Sequence, residues 1–245
     1  MNQLKSYFAI YLFLLPTLIF AQSSGQSKPI IQFIDGNVHI QNPHSKGWIK
    51  SSVNDTVDAG HQIMASEASK AEIKLTDRQL MRIGPLTTAR TDSIAPAKIT
   101  LVQGNFWFDI DAQIVPTMPS LKISIDHGVL NSIPDSTSPK NVYRMTIGKD
   151  GTSEIKVYEG RLNLNFIPVS IAAESTDTAI VSDSLKETAK NQTPARNWTA
   201  VLTNMQRLIA NSNGVIVIKD EFNPNDIDEK SDWVSWNKSR DNLIK

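Results

Sequence analysis

Apolar and polar residues alternate along most of the chain between residues 28 and 166, and β-branched residues are common there. Gly or Asp interrupts the alternation about every 8 to 12 residues, which is typical of strands joined by turns. The predicted strands are 30–34, 37–41, 62–65, 71–75, 80–83, 87–91, 98–103, 106–110, 121–125, 142–146, 153–158 and 161–166. No helical period interrupts them, so the sequence predicts an all-β domain, a sandwich or a barrel-like double sheet.

Glycines mark the predicted turns. Gly151 and Gly160 bracket the alternating segment 153–158. Because glycine adopts the positive φ that many tight turns require, these two positions predict a three-stranded meander over residues 142–166. Gly104, in the same way, predicts a turn between the two strands that flank it.

The composition changes after the predicted main domain, residues 22–168. Residues 169–196 are rich in Ser, Thr, Ala and Asp and contain no aromatic residue. Such a segment buries too little apolar area to offset the entropy of ordering it, so it is predicted to be a flexible excursion. Alternation resumes over residues 197–220 around an Asn-Ser-Asn-Gly turn cluster, which predicts strands returning to the same domain.

The C-terminal tail, residues 221–245, carries Trp233, Trp236, Arg240 and Leu243 at helical spacing, with polar residues between them. This pattern predicts a short amphipathic helix. Since paired tryptophans each bury a large area, we expect the helix to dock on the β domain. The alternative is a helix that binds a partner through exposed tryptophans.

The first residues have the features of a secretory signal peptide. Lys5 precedes an apolar stretch that ends before Ala21 and a polar Ser-Ser-Gly run, which predicts a signal peptide over residues 1–21 and cleavage near Ala21. A membrane anchor is less favoured, because the stretch is shorter than about 20 residues and Pro16 interrupts it. The mature chain is therefore expected to be periplasmic or secreted, with no stable membrane span.

Composition narrows the function classes. The chain has 25 basic and 25 acidic residues, so no large positive field favours a nucleic acid or an anionic membrane surface. It contains no cysteine, which excludes disulfides, thiolate metal sites and a cysteine nucleophile. Export without disulfides fits a bacterial envelope better than a small disulfide-stapled domain.

Several short motifs occur in an order that resembles the FecR-like domain family. The opening motifs are Gly36-Asn37-Val38, Gly47-Trp48 and Val57-Asp58-Ala59-Gly60, and the middle ones are the segment 66–77, Arg82-Ile83-Gly84 and Phe106-Trp107. The most specific is DGTSEIKVYEGRLNL, residues 150–164. The tail motif Trp233-Val234-Ser235-Trp236-Asn237-Lys238-Ser239-Arg240-Asp241 is similar to a tryptophan, asparagine, arginine and aspartate signature that follows such domains in exported members.

The resemblance implies a curled double-sheet fold, a β-sandwich or a double-stranded β-helix-like domain, with a binding or signalling role outside the cytoplasm. It implies no ligand and no agreed functional residues. Two segments depart from the family pattern, 124–128 and 141–144, and inherit no role. Regulatory members that control a sigma factor use an internal membrane helix and a cytoplasmic N-terminal segment, neither of which the sequence predicts, so direct sigma-factor control is not expected.

The sequence predicts neither an enzyme nor a cofactor or metal site. The histidines, which are His39, His44, His61 and His127, show no spacing typical of metal ligands. No nucleophile-elbow motif is present, and Asp126 beside His127 on a strand would point to the opposite face. A hydrolase ranks third among the functional hypotheses.

Six aromatic residues are the candidate binding surface: Trp107, Phe106, Phe108, Trp48, Trp233 and Trp236. On a strand, Trp107 cannot share a face with both neighbouring phenylalanines, so at least one of these side chains faces outward or into a second interface. The leading hypothesis is a non-enzymatic module that binds an envelope protein or a glycan. The alternative is a scaffold that associates with itself through sheet edges.

Overall fold

The computed structural model describes residues 28–93, 98–111, 121–125, 128–134, 138–168 and 196–243. The predicted signal peptide lies outside these residues, as do Asp126, His127 and all but the last residue of the predicted excursion. Within the described ranges the chain forms sixteen strands and then a C-terminal helix, so the prediction of an all-β fold with a short terminal helix is confirmed.

The strands, in chain order, are β1 Ile30–Asp35, β2 Val38–Gln41, β3 Ile49–Lys50, β4 Gln62–Ala65, β5 Lys70–Thr76, β6 Gln79–Ile83, β7 Thr87–Ser93, β8 Lys98–Asp111, β9 Leu121–Ile125, β10 Gly128–Pro134, β11 Lys140–Ile147, β12 Ser153–Glu159, β13 Arg161–Pro168, β14 Trp198–Thr203, β15 Gln206–Ala210 and β16 Ile216–Glu221. A 3₁₀ turn, Asp228–Lys230, precedes the helix α1, Asp232–Leu243.

The strands form two sheets that share β8. The front sheet has the order β1-β5-β6-β8-β11-β12-β15-β16. The back sheet has the order β3-β2-β4-β7-β8-β9-β10-β13-β14. Every pair is antiparallel except β8 with β9. The first half of β8 belongs to the back sheet and its second half to the front sheet, so this strand joins the two layers.

Gly104 lies inside β8, so the predicted turn at this position is wrong. Its φ of +108° bends the strand where it passes from one sheet to the other. A Cβ here would lie 2.6 Å from the Cα of Thr87 on the neighbouring strand, so only glycine fits. The pattern also missed β3 and β10. Every predicted strand matches an observed one, and the predicted strands 98–103 and 106–110 are both parts of β8.

The predicted meander over residues 142–166 is also only partly correct. β11 and β12 form an antiparallel hairpin, but β13 pairs with β10 and β14 in the back sheet. The chain changes sheets at Gly160, where φ is +90° and a Cβ would collide with the carbonyl oxygen of Lys140. A glycine at the end of a strand therefore marks a corner here instead of a hairpin.

The core fills the space between the sheets and explains the alternation of the sequence. Inward side chains of both sheets are buried, among them Phe106, Phe108, Tyr143 and Phe166. The Tyr143 hydroxyl lies 2.9 Å from Ser132 Oγ of the opposite sheet, and burial raises the pKa of this phenol. Of the helices in the described part, none is long and apolar enough to cross a membrane.

Candidate functional site

A row of charged and aromatic side chains crosses the outer face of the front sheet. Its members face each other strand by strand, and they are Glu72, Arg82, Trp107, Arg144 and Lys156. Three of the five are cationic and all five are buried. Because unpaired charges are costly to bury, this row needs carboxylate partners from outside the sheet.

The C-terminal helix supplies one of these partners. Asp241 Oδ1 accepts a hydrogen bond of 2.6 Å from Arg82 Nη1, and Asp241 Oδ2 accepts one of 3.1 Å from Trp107 Nε1. Glu72 bonds Arg82 Nε at 2.8 Å and also pairs with the guanidinium of Arg240 at 3.0 and 3.1 Å. Burial opposes ionisation of Glu72, but the hydrogen bonds from Arg240 and Arg82 outweigh it and lower its pKa.

The 3₁₀ turn supplies the second set of partners. Asp228 Oδ2 lies 2.7 Å from both Arg144 Nη2 and Lys156 Nζ. Its burial opposes ionisation, but these two cations lower the pKa of Asp228 to about 2. Glu229 Oε1 lies 3.2 Å from Lys156 Nζ and accepts a bond of 3.0 Å from the Tyr158 hydroxyl. Burial raises the pKa of Tyr158, which keeps the phenol protonated as a donor.

Aromatic contacts complete the docking of the tail. The ring of Trp107 stacks on Tyr158 with centroids 4.5 Å apart, and the rings of Trp233 and Trp236 stack at 5.5 Å. Trp233 packs directly over Gly84, where a Cβ would lie 2.9 Å from the indole. The tail motif of the sequence therefore holds the helix on the outer face of the front sheet.

This arrangement corrects the predicted aromatic binding surface. Phe106 and Phe108 are fully buried in the core between the sheets, and Trp107 points to the other face, where the tail covers it. Trp233 is 8% exposed and belongs to the same cluster as Trp107, with Trp236 packed against it. Of the alternatives that strand periodicity left open, Trp107 is the side chain in a second interface, and that interface is formed by the chain's own tail.

Trp48, in the segment that precedes β3, is the one candidate of the six with a substantial exposed surface, 37% of the residue. The six do not come together in one place: two lie in the core, three in the tail interface and Trp48 apart from both. A role for Trp48 in binding stays a prediction. A depression of about 480 Å³ lies beside Lys140, Glu159 and Arg161, and none of the six aromatic candidates lines it.

The outer face of the back sheet carries a second cross-strand row, which sequence reasoning missed. Its members, directly opposite one another on β8, β9, β10, β13 and β14, are Lys98, Lys122, Asn131, Asn165 and Thr199. All five side chains are half-buried or exposed, in contrast to the buried row on the front sheet.

Aliphatic side chains flank this polar row on both sides. Val129 faces Ile167 on one side of the row, and Ile133 and Val201 flank Asn163 on the other. Ile133 is 46% exposed, Ile167 44% and Val201 36%. The outer face of the back sheet therefore combines hydrogen-bonding and apolar groups.

Among the described residues, one end of the front sheet is a free edge, where β16 pairs with β15 and with no other strand. Five of the six residues of β16 are exposed, including Val217 and Ile218. The opposite edge, β1, is covered because Ile31 exchanges backbone hydrogen bonds of 3.0 and 2.8 Å with Asp55 and Asn54. In such an edge strand, every second residue directs its backbone N–H and C=O groups away from the neighbouring strand.

Among the described residues, no three or more His, Cys, Asp or Glu side chains converge as metal ligands do. No protein-family model matches the chain, and no curated protein matches it.

Two solved structures match part of this chain. They are crystal structures at 1.65 and 2.50 Å of a protein from Parabacteroides distasonis ATCC 8503 described, provisionally, as an anti-sigma factor. Each is 12% identical to this chain with a TM-score of 0.42, and the match covers 65% of this chain. It spans 59% of the length of the other protein, which is less than two thirds.

Proposed function

We propose that this chain is a non-enzymatic FecR-like module of the bacterial envelope, which binds a protein or glycan partner through the outer face of its back sheet. The proposal of a FecR-like module rests on the order of the sequence motifs. The tail motif has a structural role consistent with it, since Trp233, Trp236, Asn237, Arg240 and Asp241 all lie in the docking interface.

The observation that carries the binding proposal is the difference between the two outer faces. The front face is covered by the chain's own tail, whereas the back face presents Ile133, Ile167 and Val201 beside polar side chains. Exposed aliphatic groups clustered on one face of a sheet are characteristic of interaction surfaces. Ile133 and Val201 lie on either side of Asn163, and Ile167 faces Val129 on the neighbouring strand.

The experiment compares two matched double variants of the mature chain, residues 22–245. Ile133→Asp/Val201→Asp places two carboxylates on the back face, and Val217→Asp/Ile218→Asp places two on the edge strand β16. Each variant is immobilised and exposed to a bacterial envelope extract and to a glycan panel, after thermal unfolding has shown that both are folded. Capture that is lost in the back-face variant and kept in the edge variant supports the proposal.

A second candidate function is a scaffold that associates with itself or with other envelope proteins through β16. The free edge of this strand favours it, because unpaired backbone groups add a strand from another chain readily. Sedimentation velocity over a range of concentrations tests this candidate. If the chain self-associates and Val217→Asp/Ile218→Asp abolishes the association, the result favours the scaffold over the binding module. A concentration-independent monomer contradicts the self-associating form of this candidate.

A further inference from the structure

The cationic residues of the two cross-strand rows differ in their contacts with carboxylates. On the front sheet, Arg82, Arg144 and Lys156 each contact a carboxylate of the tail within 2.7 Å or less. On the back sheet, Lys122 contacts no carboxylate of the described residues, and Lys98 approaches only Asp92, at 4.0 Å. The back row therefore has cations whose charge the described part of the chain leaves largely unbalanced.

The two lysines also oppose each other. Lys98 and Lys122 are direct partners on the parallel strands β8 and β9. Like charges directly opposite each other on neighbouring strands destabilise a sheet. Asp92 relieves this only in part, since it accepts bonds of 2.7 Å from Arg90 and 2.6 Å from Thr100. Repulsion between these two lysines opposes folding, and an anionic ligand bound beside them would relieve it.

The rest of the row shows what else that ligand carries. Lys122 faces Asn131, Asn131 faces Asn165, and Asn165 faces Thr199. With strands about 4.8 Å apart, the five side chains span about 19 Å in a straight line. An ammonium only donates hydrogen bonds, whereas an amide or a hydroxyl both donates and accepts. The row is therefore complementary to a polymer ligand that carries carboxylates near the two lysines and hydroxyl groups along its length.

We infer that this row, Lys98, Lys122, Asn131, Asn165 and Thr199, binds a carboxylated polysaccharide that lies across the strands. The aliphatic side chains on either side, Val129 with Ile167 and Ile133 with Val201, contact the C–H faces of its sugars. This inference rests on the proposed binding function and specifies the ligand class of the same face.

An acidic polypeptide would bind to this face less well than a polysaccharide. Extended peptides bind sheets chiefly by adding a strand at an edge, because their backbone groups are then paired. The row lies in the interior of the back sheet, on strands that are already paired on both sides except for β14 at its end. A flat row of donors and acceptors suits a polymer whose own hydrogen-bonding groups point sideways, as sugar hydroxyls do.

The test measures equilibrium binding of the mature chain to three polymers by biolayer interferometry. Polygalacturonate is the carboxylated probe, its fully methyl-esterified form is the uncharged probe with the same backbone, and poly-L-glutamate is the acidic polypeptide. The variants are Lys98→Gln/Lys122→Gln and Asn131→Ala/Asn165→Ala. The control is Lys149→Gln/Lys219→Gln, which removes two exposed lysines elsewhere and gives the same net charge.

The inference predicts that polygalacturonate binds and that both row variants lose at least about tenfold in affinity, since each removes two hydrogen-bonding groups. The control changes affinity by less than about twofold, and only the lysine variant weakens the salt dependence. Equal loss in the control, or tighter binding of poly-L-glutamate that depends on the same lysines, would overturn it.

Absence of binding to polygalacturonate would also overturn it and is distinguishable from failure of the proposed function. If envelope capture still depends on Ile133 and Val201, the face binds a different partner and only the ligand class is wrong. If neither capture nor polysaccharide binding depends on this face, the proposed function fails as well.

Discussion

Asp241 and Arg82 form an ion pair of 2.6 Å between residues separated by 159 positions in the sequence. Arg82 is fully buried on the front sheet, and Asp241 lies in the last turns of α1. The same carboxylate also accepts the indole hydrogen of Trp107. The C-terminal helix is thus part of the folded domain, held by polar contacts that require a defined position.

Asp241→Ala is expected to destabilise the domain strongly. The substitution leaves the Arg82 charge and the Trp107 indole N–H without this buried partner, and breaking one half of a buried ion pair costs about 3–5 kcal/mol. Chemical denaturation measures the free energy of unfolding. The matched control is Asp77→Ala, which breaks the exposed pair with Lys74 and should change stability little. Equal effects of the two substitutions would contradict a structural role for Asp241.

Gly84→Ala is expected to displace Trp233 and to destabilise the domain by about 1–3 kcal/mol, as overpacking does. The added Cβ would lie 2.9 Å from the indole, too close for any fixed aromatic ring. In a Trp233→Leu background the smaller side chain leaves room, so Gly84→Ala should cost less. The double-mutant cycle measures this coupling. Equal costs in the two backgrounds would show that Trp233 does not pack on Gly84.

Acid is expected to weaken the contact between the 3₁₀ turn and the front sheet. The pKa of Asp228, about 2 in the folded chain, is below its ordinary value of 3.8. A depressed carboxyl pKa contributes stability that is present above the unfolded pKa and is lost as the pH falls through the folded one. Asp228→Asn should therefore lose stability less steeply than the wild type between about pH 4 and pH 2. Identical slopes would contradict this account of Asp228.

Lys122→Gln is expected to weaken ligand binding while it slightly stabilises the fold. Removing one of two opposed lysines relieves their repulsion, which is of the order of 0.2–0.5 kcal/mol between neighbouring strands. The gain should shrink at high salt, since exposed charges are screened. Thermal unfolding at low and high ionic strength measures it. A loss of stability at low salt would show that Lys122 serves the fold and would remove one argument for the ligand.

Most of the strands and the helix could be predicted from the sequence, because each depends on a local period, whereas β3 and β10 could not. The sheet to which β13 belongs could not be predicted. Gly160 has a positive φ, which occurs both in hairpin turns and where a chain passes from one sheet to the other. The turn predicted at Gly104 is wrong for the same reason, because a bend within β8 and a turn both need glycine.

The proposed binding surface was harder still to predict. Strand periodicity places Trp107 on the face opposite Phe106 and Phe108 but does not say which face is outward, and the cover of Trp107, α1, lies more than a hundred residues away in sequence. Lys98, Lys122 and Asn131 become neighbours only through strand register. No local period contains that information, although an exposed lysine on each of two neighbouring predicted strands was a signal that could have been tested.

Hydrogen exchange of the mature chain with and without polygalacturonate tests the central claim most directly, that the outer face of the back sheet is the binding surface. The account predicts slower amide exchange in β9, β10 and β13 when the polysaccharide is bound, and unchanged exchange in α1 and β16. Protection confined to α1 or to the edge strand β16, with none in β9, β10 and β13, would contradict it.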